Sequence, residues 1–365
     1  MARLVINTDQ IVRNIEKISS FLQGKKIQWS LIVKILSGHK DLLKEILSGI
    51  STEKIHSVGD SRLTGLRALK EINPELTTMF IKPPAHNNIK QVVKYADISL
   101  NSSSATIEAL NREAKNQGKF HKVIIMIDMG ELREGIMGEN LEEFYRKVFT
   151  LSNIEIIGIG TNLGCLFGVE PTRDKLVQLS LYKQLIDAIF KTRLPLISGG
   201  SSITLPLTAR NKIPFAVNHF RIGEAAFMGT SPLDGKRFRN LSDKGFEYSA
   251  QILQIEEKEH EPDGVIGQGH VGKTSEEIIR DENTSFKALL DFGIIDVDPN
   301  DLIPVNKSVR FFGTTSDLTI YDLGNNRKKN GTPLYRVGEI IRFKPDYMAV
   351  ARLMNSKFIE KDYSS

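Results

Sequence analysis

The chain has one cysteine, one tryptophan and no apolar stretch near the ~20 residues that a helical membrane span requires. One thiol, Cys165, excludes an intrachain disulfide and any zinc site built from several cysteines, and it suits a reducing compartment. Charge of a single sign is also missing: 49 Lys and Arg against 44 Asp and Glu leave a formal +5 over 365 residues. Such a balance reads as a mixed solvated surface rather than the basic footprint of a nucleic-acid binder, and it suits anionic small molecules. Met1-Ala2-Arg3-Leu4 runs directly into strand-like Val5-Ile6 without an apolar signal core, so a cytoplasmic protein is expected. No internal repeat or low-complexity tract is present.

What is there is an ordinary globular composition, 40% hydrophobic and 25% charged. The length allows a (β/α)8 barrel, which takes roughly 200–250 residues, plus a second domain. Eight short apolar runs, at residues 27–33, 55–58, 77–81, 97–100, 122–127, 154–159, 194–197 and 216–220, alternate with helical patterns. Leu42, Leu43, Ile46, Leu47 and Ile50 form one apolar face, and Leu176, Leu179, Tyr182, Leu185, Ile186 and Ile189 another. After about residue 235, turn residues separate short β-rich runs at 249–255, 286–292, 308–312, 318–321 and 339–343. The expectation is an α/β TIM barrel over residues 1–235 followed by a mainly-β domain over 236–365. The polar stretch 325–331 is expected to be a hairpin tip.

Polar clusters follow the strand candidates, where barrel active sites lie. Lys34 ends the first apolar run, and Ser37-Gly38-His39 turns the chain into a helix. Desolvation at a strand end favours the neutral amine, which condenses with aldehydes; the alternative is a lysine that snorkels to solvent. After the second strand, Asp60 and Arg62 either recognise a charged side chain or, for Asp60, cap the next helix. After the fifth, Arg133 is placed to grip a carboxylate through two parallel hydrogen bonds, or else pairs with a neighbouring glutamate on the surface. After the sixth, Gly160-Thr161-Asn162-Leu163-Gly164-Cys165 is small and polar enough to line a ring-shaped ligand. Ser198-Gly199-Gly200-Ser201-Ser202 and Arg221-Ile222-Gly223-Glu224 follow strands seven and eight, where such barrels hold phosphate. With parallel strands these clusters converge and read as a pyridoxal phosphate site.

The segments that carry a family likeness are Val33-Lys34 with Ser37-Gly38-His39, Gly59-Asp60-Ser61-Arg62-Leu63, residues 128–136, residues 160–165 with Pro171-Thr172, residues 198–202, residues 218–229 and Ser316-Asp317. They resemble the fold-type III pyridoxal phosphate enzymes typified by alanine racemase, and within them the alanine/ornithine racemase branch. The resemblance implies an amino-acid racemase acting on a free α-amino acid, ornithine ahead of alanine, with pyridoxal 5′-phosphate as cofactor. It implies that Lys34 is the Schiff-base lysine and the base on one face of the α-carbon, and that Arg221 faces the pyridine nitrogen. Ser201, Ser202 and the backbone of Gly223 and Glu224 would hold the phosphate, Asn162 would line the cofactor, and Arg133 would orient the substrate carboxylate and the cofactor phenolate. The second domain would pack on the barrel mouth of a partner, giving a head-to-tail homodimer, with no nucleic acid, membrane or metal involved.

Two departures from that family bear on mechanism. Where alanine racemase has a tyrosine before the glycine that follows the lysine, this chain has Ser37, with one residue fewer. The counterpart of the Gly-Tyr-x-Asp motif is Gly293-Ile294-Ile295-Asp296, and isoleucine carries no proton. A racemase exchanges protons on both faces. Asp296 and Asp317 are therefore the catalytic candidates for the second face, with His270 behind them, and each has a plain alternative as a turn cap or an exposed loop residue. Other readings are a pyridoxal phosphate carrier, although such barrels lack the second domain; a lyase on D-hydroxy amino acids, whose metal pair His260 and His270 do not reproduce without a cysteine; and an aldolase-type barrel without the cofactor.

Overall fold

The structure is a computed structural model and describes residues 2–267, 272–275 and 284–363. The chain divides into two compact units, Thr8–Asp243 and Met1–Asn7 with Lys244–Ser365. Among the described residues no helix is long and apolar enough to cross a membrane.

Strand β1 (Arg3–Ile6) leads into helix α1 (Thr8–Gln23), and the barrel strands follow: β2 (Gln28–Ile32), β3 (Ser57–Asp60), β4 (Thr78–Phe80), β5 (Ile98–Asn101), β6 (His121–Met126), β7 (Ile154–Gly160), β8 (Leu196–Ser201) and β9 (His219–Ile222). Each lies within or beside one of the eight apolar runs, and the eight close into a parallel barrel in chain order. Helices α2 (Lys40–Ser48), α3 (Leu63–Ile72), α4 (Ile89–Tyr95), α5 (Ser104–Asn116), α6 (Leu141–Val148), α7 (Arg173–Phe190), α8 (Leu205–Ala209) and α9 (Glu224–Met228) supply the crossovers. Side-chain caps start several of them: His39 Nδ1, Ser103 Oγ and Thr172 Oγ1 accept the amides of Leu42, Thr106 and Lys175.

Seven buried residues from five consecutive strands, Met79, Ile98, Leu100, Ile124, Met126, Ile157 and Leu196, pack together with Ile81. No helical residue joins them, so they fill the lumen of the barrel. The face expected on α7 is narrower than its sequence pattern: Leu176, Leu179 and Ile186 are buried, while Leu185 and Ile189 are exposed. A helix of 18 residues outruns a strand of seven, so only part of its apolar stripe finds a partner.

The other unit is built on β10 (Phe246–Glu259), with β11 (Lys273–Thr274), β12 (Thr284–Leu290), β13 (Leu302–Pro304), β14 (Arg310–Thr314), β15 (Thr319–Asp322), β16 (Ile340–Pro345) and β17 (Glu360–Tyr363). Its first half pairs with β1 and β16, and its second half pairs with β12 beyond a register shift at Ile252/Gln254. Strand β1 runs antiparallel to β10 and parallel to β17, so the first seven residues belong to this sheet and not to the barrel half in which the sequence placed them. Periodicity marked Val5-Ile6 as a strand, but a strand's partner is decided by tertiary pairing. Helix α10 (Tyr347–Asn355), capped by Asp346 Oδ1 on the Ala349 amide, is the one α-helix among the described residues of this mainly-β unit. Tyr248, Phe292, Tyr321 and Phe343 are fully buried and pack ring on ring, with Tyr321 and Phe343 5.1 Å apart. At 325–331 the chain forms the tight turn expected, closed by the Lys328 amide on the Thr332 carbonyl at 2.8 Å.

Candidate active site

The barrel closes between its first and last strands, where Ser30 pairs with Arg221 and Leu31 with Ile222. A Cβ placed on Gly223 would stand 3.0 Å from the carbonyl oxygen of Ile32, so the two backbones approach closely there and a side chain would fit only if Ile32 gave way by a few tenths of an ångström. Two residues beyond Ile32 is Lys34. After Val33 the chain makes a 3-10 turn over Lys34–Leu36, and Ser37 (φ 51°) and Gly38 (φ 74°) then reverse it into α2. Lys34 itself is exposed between buried Val33 and Ile35. The desolvated amine that the apolar run led us to expect is therefore not found: the strand stops at Ile32, and the short turn carries Lys34 out to the rim.

Asp60, the last residue of β3, is 1% exposed. Its Oδ1 accepts the Arg62 amide at 2.8 Å, closing a turn ahead of α3, whose own cap position is Arg62. Asp60 thus orders the entry without occupying the cap. Burial pushes its carboxyl up to about 6, against the amides of Arg62 and Ser61 and the positive charges of Arg62 and Lys34.

Beyond β6, Asp128 Oδ1 accepts the amides of Gly130 and Leu132, and Gly135, at φ 145°, passes so close to the Asp128 amide that a Cβ would collide with it. Arg133 is exposed; its Nη2 donates to Glu134 Oε1 at 2.8 Å and its Nη1 meets Cys165 Sγ. The pairing with a neighbouring glutamate weighed for this arginine is present, but with a Glu134 side chain that is only 9% exposed rather than on the open surface. Glu131, which sequence reasoning missed, is buried and accepts five backbone amides, those of Gly164, Cys165, Leu166, Phe167 and Val169, at 2.7–3.1 Å. Burial alone would raise its carboxyl, yet these amides outweigh it and hold the group below its usual 4.5. One carboxylate from the loop after β6 therefore folds the loop after β7, at whose start Asn162 is half-buried. No sequence period signals this, because the partners are backbone groups more than 30 residues away.

Strand β8 continues through Gly199, Gly200 and Ser201, further than its apolar run suggested. Gly200 is required here, since a Cβ would lie 2.3 Å from the ring of Phe220. The Ser201 amide is accepted by Thr204 Oγ1, and buried Ser202 Oγ accepts the Ala225 amide at 3.0 Å, joining the loop after β8 to the start of α9. Arg221 is 8% exposed. Its Nη1 donates to the carbonyl of Ser198 at 3.0 Å and to that residue's hydroxyl, and its Nη2 donates to the Thr161 carbonyl at 2.6 Å. Burial lowers the guanidinium to about 10, with Glu134 acting upward and Arg133 downward, so it stays charged at neutral pH. Lys34, Ser201, Ser202, Arg221, Gly223 and Glu224 thus all lie on β8, β9 and β2 or just past their C-terminal ends, with Asn162 past that of β7.

In the β-rich unit the two carboxylate candidates occupy adjoining turns. The amides of Ile294 and Ile295 are accepted by the carbonyls of Thr315 and Ser316, and Gly293 leaves no room for a Cβ beside the Ser316–Asp317 backbone. Asp296 is engaged at both oxygens, Oδ1 by the Ser356 hydroxyl at 2.9 Å and Oδ2 by the Gly293 amide at 3.4 Å. Asp317 is exposed, and its Oδ1 accepts the Ser316 hydroxyl at 3.0 Å. His270 lies outside the described residues. His260 Nδ1 sits 3.1 Å from Lys287 Nζ, beside the buried Lys287–Asp322 pair, and among the described residues no three His, Cys, Asp or Glu side chains are grouped to hold a metal ion.

The model of the alanine racemase N-terminal domain matches residues 6–231. Over 99% of both chains, the sequence is 32% identical to an ornithine racemase of Acetoanaerobium sticklandii. It is 27% identical to a lysine racemase of Thermotoga maritima, over 99% of this chain and 98% of the other. In three dimensions an alanine racemase of Bartonella henselae, solved with covalently bound pyridoxal phosphate, superposes with a TM-score of 0.72 at 17% identity, covering 100% of this chain and 99% of that one. Barrel, strand-end cluster and full-length similarity agree: the chain belongs to the alanine racemase family of amino-acid racemases.

Proposed function

We propose that the protein interconverts the L and D forms of a free diamino acid, with ornithine first, using pyridoxal 5′-phosphate held at the rim of its barrel. The observation that carries this reading is the seam between β2 and β9. It sets the Lys34 turn two residues past the contact between Ile32 and Gly223, and it aligns Arg221 with Ser30 in the same seam. The donor set fits the cofactor: one amine for its aldehyde, one buried guanidinium for its ring nitrogen, and two hydroxyls and a turn of backbone for its phosphate. Both full-length relatives are named for amino acids with a side-chain amine, which supports that substrate class.

When bound, the cofactor supplies an electron sink that acidifies the α-C–H of an amino acid joined to it. This chain's residues do the rest. Ser201, Ser202, Gly223 and Glu224 would hold the phosphate, and Asn162 would line the ring. Arg221, a buried permanent cation, would face the ring nitrogen and disfavour its protonation, which would favour return of the proton over loss of a carboxyl or leaving group. Arg133 turns from Glu134 toward the substrate carboxylate. Lys34 Nζ takes the α-proton on one face, and a carboxyl delivers one on the other; reversal of both transfers gives the opposite enantiomer. For that carboxyl Asp317 is favoured, because Asp296 is engaged at both oxygens. The second domain of a partner copy would bring it to the barrel mouth in a head-to-tail dimer. With one exposed thiol and no disulfide to maintain, we place the enzyme in the cytoplasm.

The test is incubation of the cofactor-loaded protein with L-ornithine, L-lysine and L-alanine in deuterated water, with chiral chromatography and mass detection. D-ornithine carrying one deuterium at the α-carbon is expected, and Lys34→Ala is expected to abolish both exchange and inversion. Racemisation that survived Lys34→Ala would overturn the assignment.

A further inference from the structure

Behind Arg221 the barrel carries a line of buried polar side chains to which the racemase reading gives no task. His219, two residues before Arg221 on β9, is fully buried, with Nδ1 2.8 Å from Ser198 Oγ and Nε2 2.9 Å from Ser30 Oγ. Ser30 Oγ lies 2.7 Å from Ser57 Oγ. Ser198 stands two residues beyond lumen-filling Leu196 and shares its face, so the line runs inside the barrel. Four side chains from β2, β3, β8 and β9 therefore form one connected series that ends on the guanidinium of Arg221 through Ser198.

The direction of that series follows from donor counting. A guanidinium only donates, so Ser198 Oγ accepts from Arg221 and turns its own hydrogen to its other neighbour, His219 Nδ1. The imidazole proton is then on Nε2 and goes to Ser30, whose hydroxyl continues to Ser57. A protonated ring would make both nitrogens donors, leave the Ser198 hydrogen without an acceptor and set two cations side by side. Burial, the edge-on ring of His56 at 4.8 Å and the charge of Arg221 all push His219 well below its usual 6.5, in agreement. No carboxylate belongs to the series.

We propose that Ser198, His219 and Ser30 are positioning residues for Arg221, a neutral one-way relay that fixes the guanidinium without lending it negative charge. The inference rests on the reading that Arg221 faces the ring nitrogen of the cofactor. Three of the five guanidinium N–H donors are committed to Ser198 and Thr161, which leaves Nε and one hydrogen of Nη2 for a ligand. A carboxylate in place of Ser198 would fix Arg221 equally well but would neutralise it, and the ring nitrogen would then gain a proton more easily.

Two measurements decide the matter. In the free protein, 15N NMR of labelled histidine is expected to show His219 as the neutral tautomer protonated at Nε2, with no titration between about pH 5 and 9. In protein loaded with ring-15N pyridoxal 5′-phosphate, Ser198→Ala keeps both carbonyl bonds of Arg221 but removes the relay's last link. It is expected to weaken cofactor binding about tenfold and to move the ring-nitrogen resonance toward the protonated form. Ser30→Ala, which leaves the Nε2 proton without its acceptor, is expected to move the same resonance in the same direction and guards against a misfolded first variant. A His219 that is charged or protonated at Nδ1, or a ring-nitrogen resonance unmoved in both folded variants, overturns the relay. Failure of the wild-type protein to take up the cofactor would instead overturn the parent reading, while the histidine tautomer in the free protein still judges the relay.

Discussion

Glu131, in the loop after β6, and Asp60, at the end of β3, are both buried carboxyl groups, and their surroundings drive them in opposite directions. Glu131 is surrounded by amides, so its charge is welcome; its contribution to stability is present above its usual 4.5 and is lost as pH falls through its lower folded value. Glu131→Gln keeps the shape but exchanges charge-assisted bonds for neutral ones. It is expected to cost about 2 kcal/mol and to increase proteolytic nicking within 164–169, as read by limited digestion. Asp60 has one bonded oxygen and a second that is buried without a partner. Its contribution is intact below its ordinary 3.8 and is lost as pH rises through about 6. Asp60→Asn in the free protein is therefore expected to gain about 2–3 kcal/mol at about pH 7.5 and little at about pH 4 in urea unfolding. An equal gain at both would show that ionisation is not the cause.

Among the elements, the β2–β9 seam and strand β1 show what periodicity can and cannot locate. Eight apolar runs of strand length, each followed by a helical pattern, specify parallel strands and crossovers, because only that arrangement buries short continuous apolar segments on both faces. Strand ends were harder to read: β8 continues through Gly199, Gly200 and Ser201, residues that look like a loop until the contact of Gly200 with the Phe220 ring is known. Strand β1 has the same composition as a barrel strand but joins β10 and β17. Removal of residues 1–7 is therefore expected to raise amide exchange in β10 and β17 while the barrel strands keep their protection. Loss of protection in β2 and β9 instead would contradict the observed pairing.

For the molecule as a whole, the proposal of a shared site makes a prediction that no single-chain site makes. Lys34→Ala and Asp317→Asn each disable a different contribution. If Asp317 serves the barrel of its partner, mixed dimers hold one intact site, and co-refolding the two inactive variants is expected to restore about a quarter of wild-type racemase activity. No recovery in dimers shown by mass to be mixed would place both groups in one chain or remove Asp317 from the chemistry. The sequence by itself determined the barrel, the β-rich unit and the position of Lys34, Arg221 and the serine- and glycine-rich turns at strand ends, because strand length, helical spacing and turn chemistry are local properties. Tertiary structure alone decided that Lys34 stands exposed at the rim, that Arg133 meets Cys165, that Glu131 gathers five amides, and that His219 reaches Arg221 through Ser198. Each of these depends on which strand lies beside which, and that is settled only when the barrel closes.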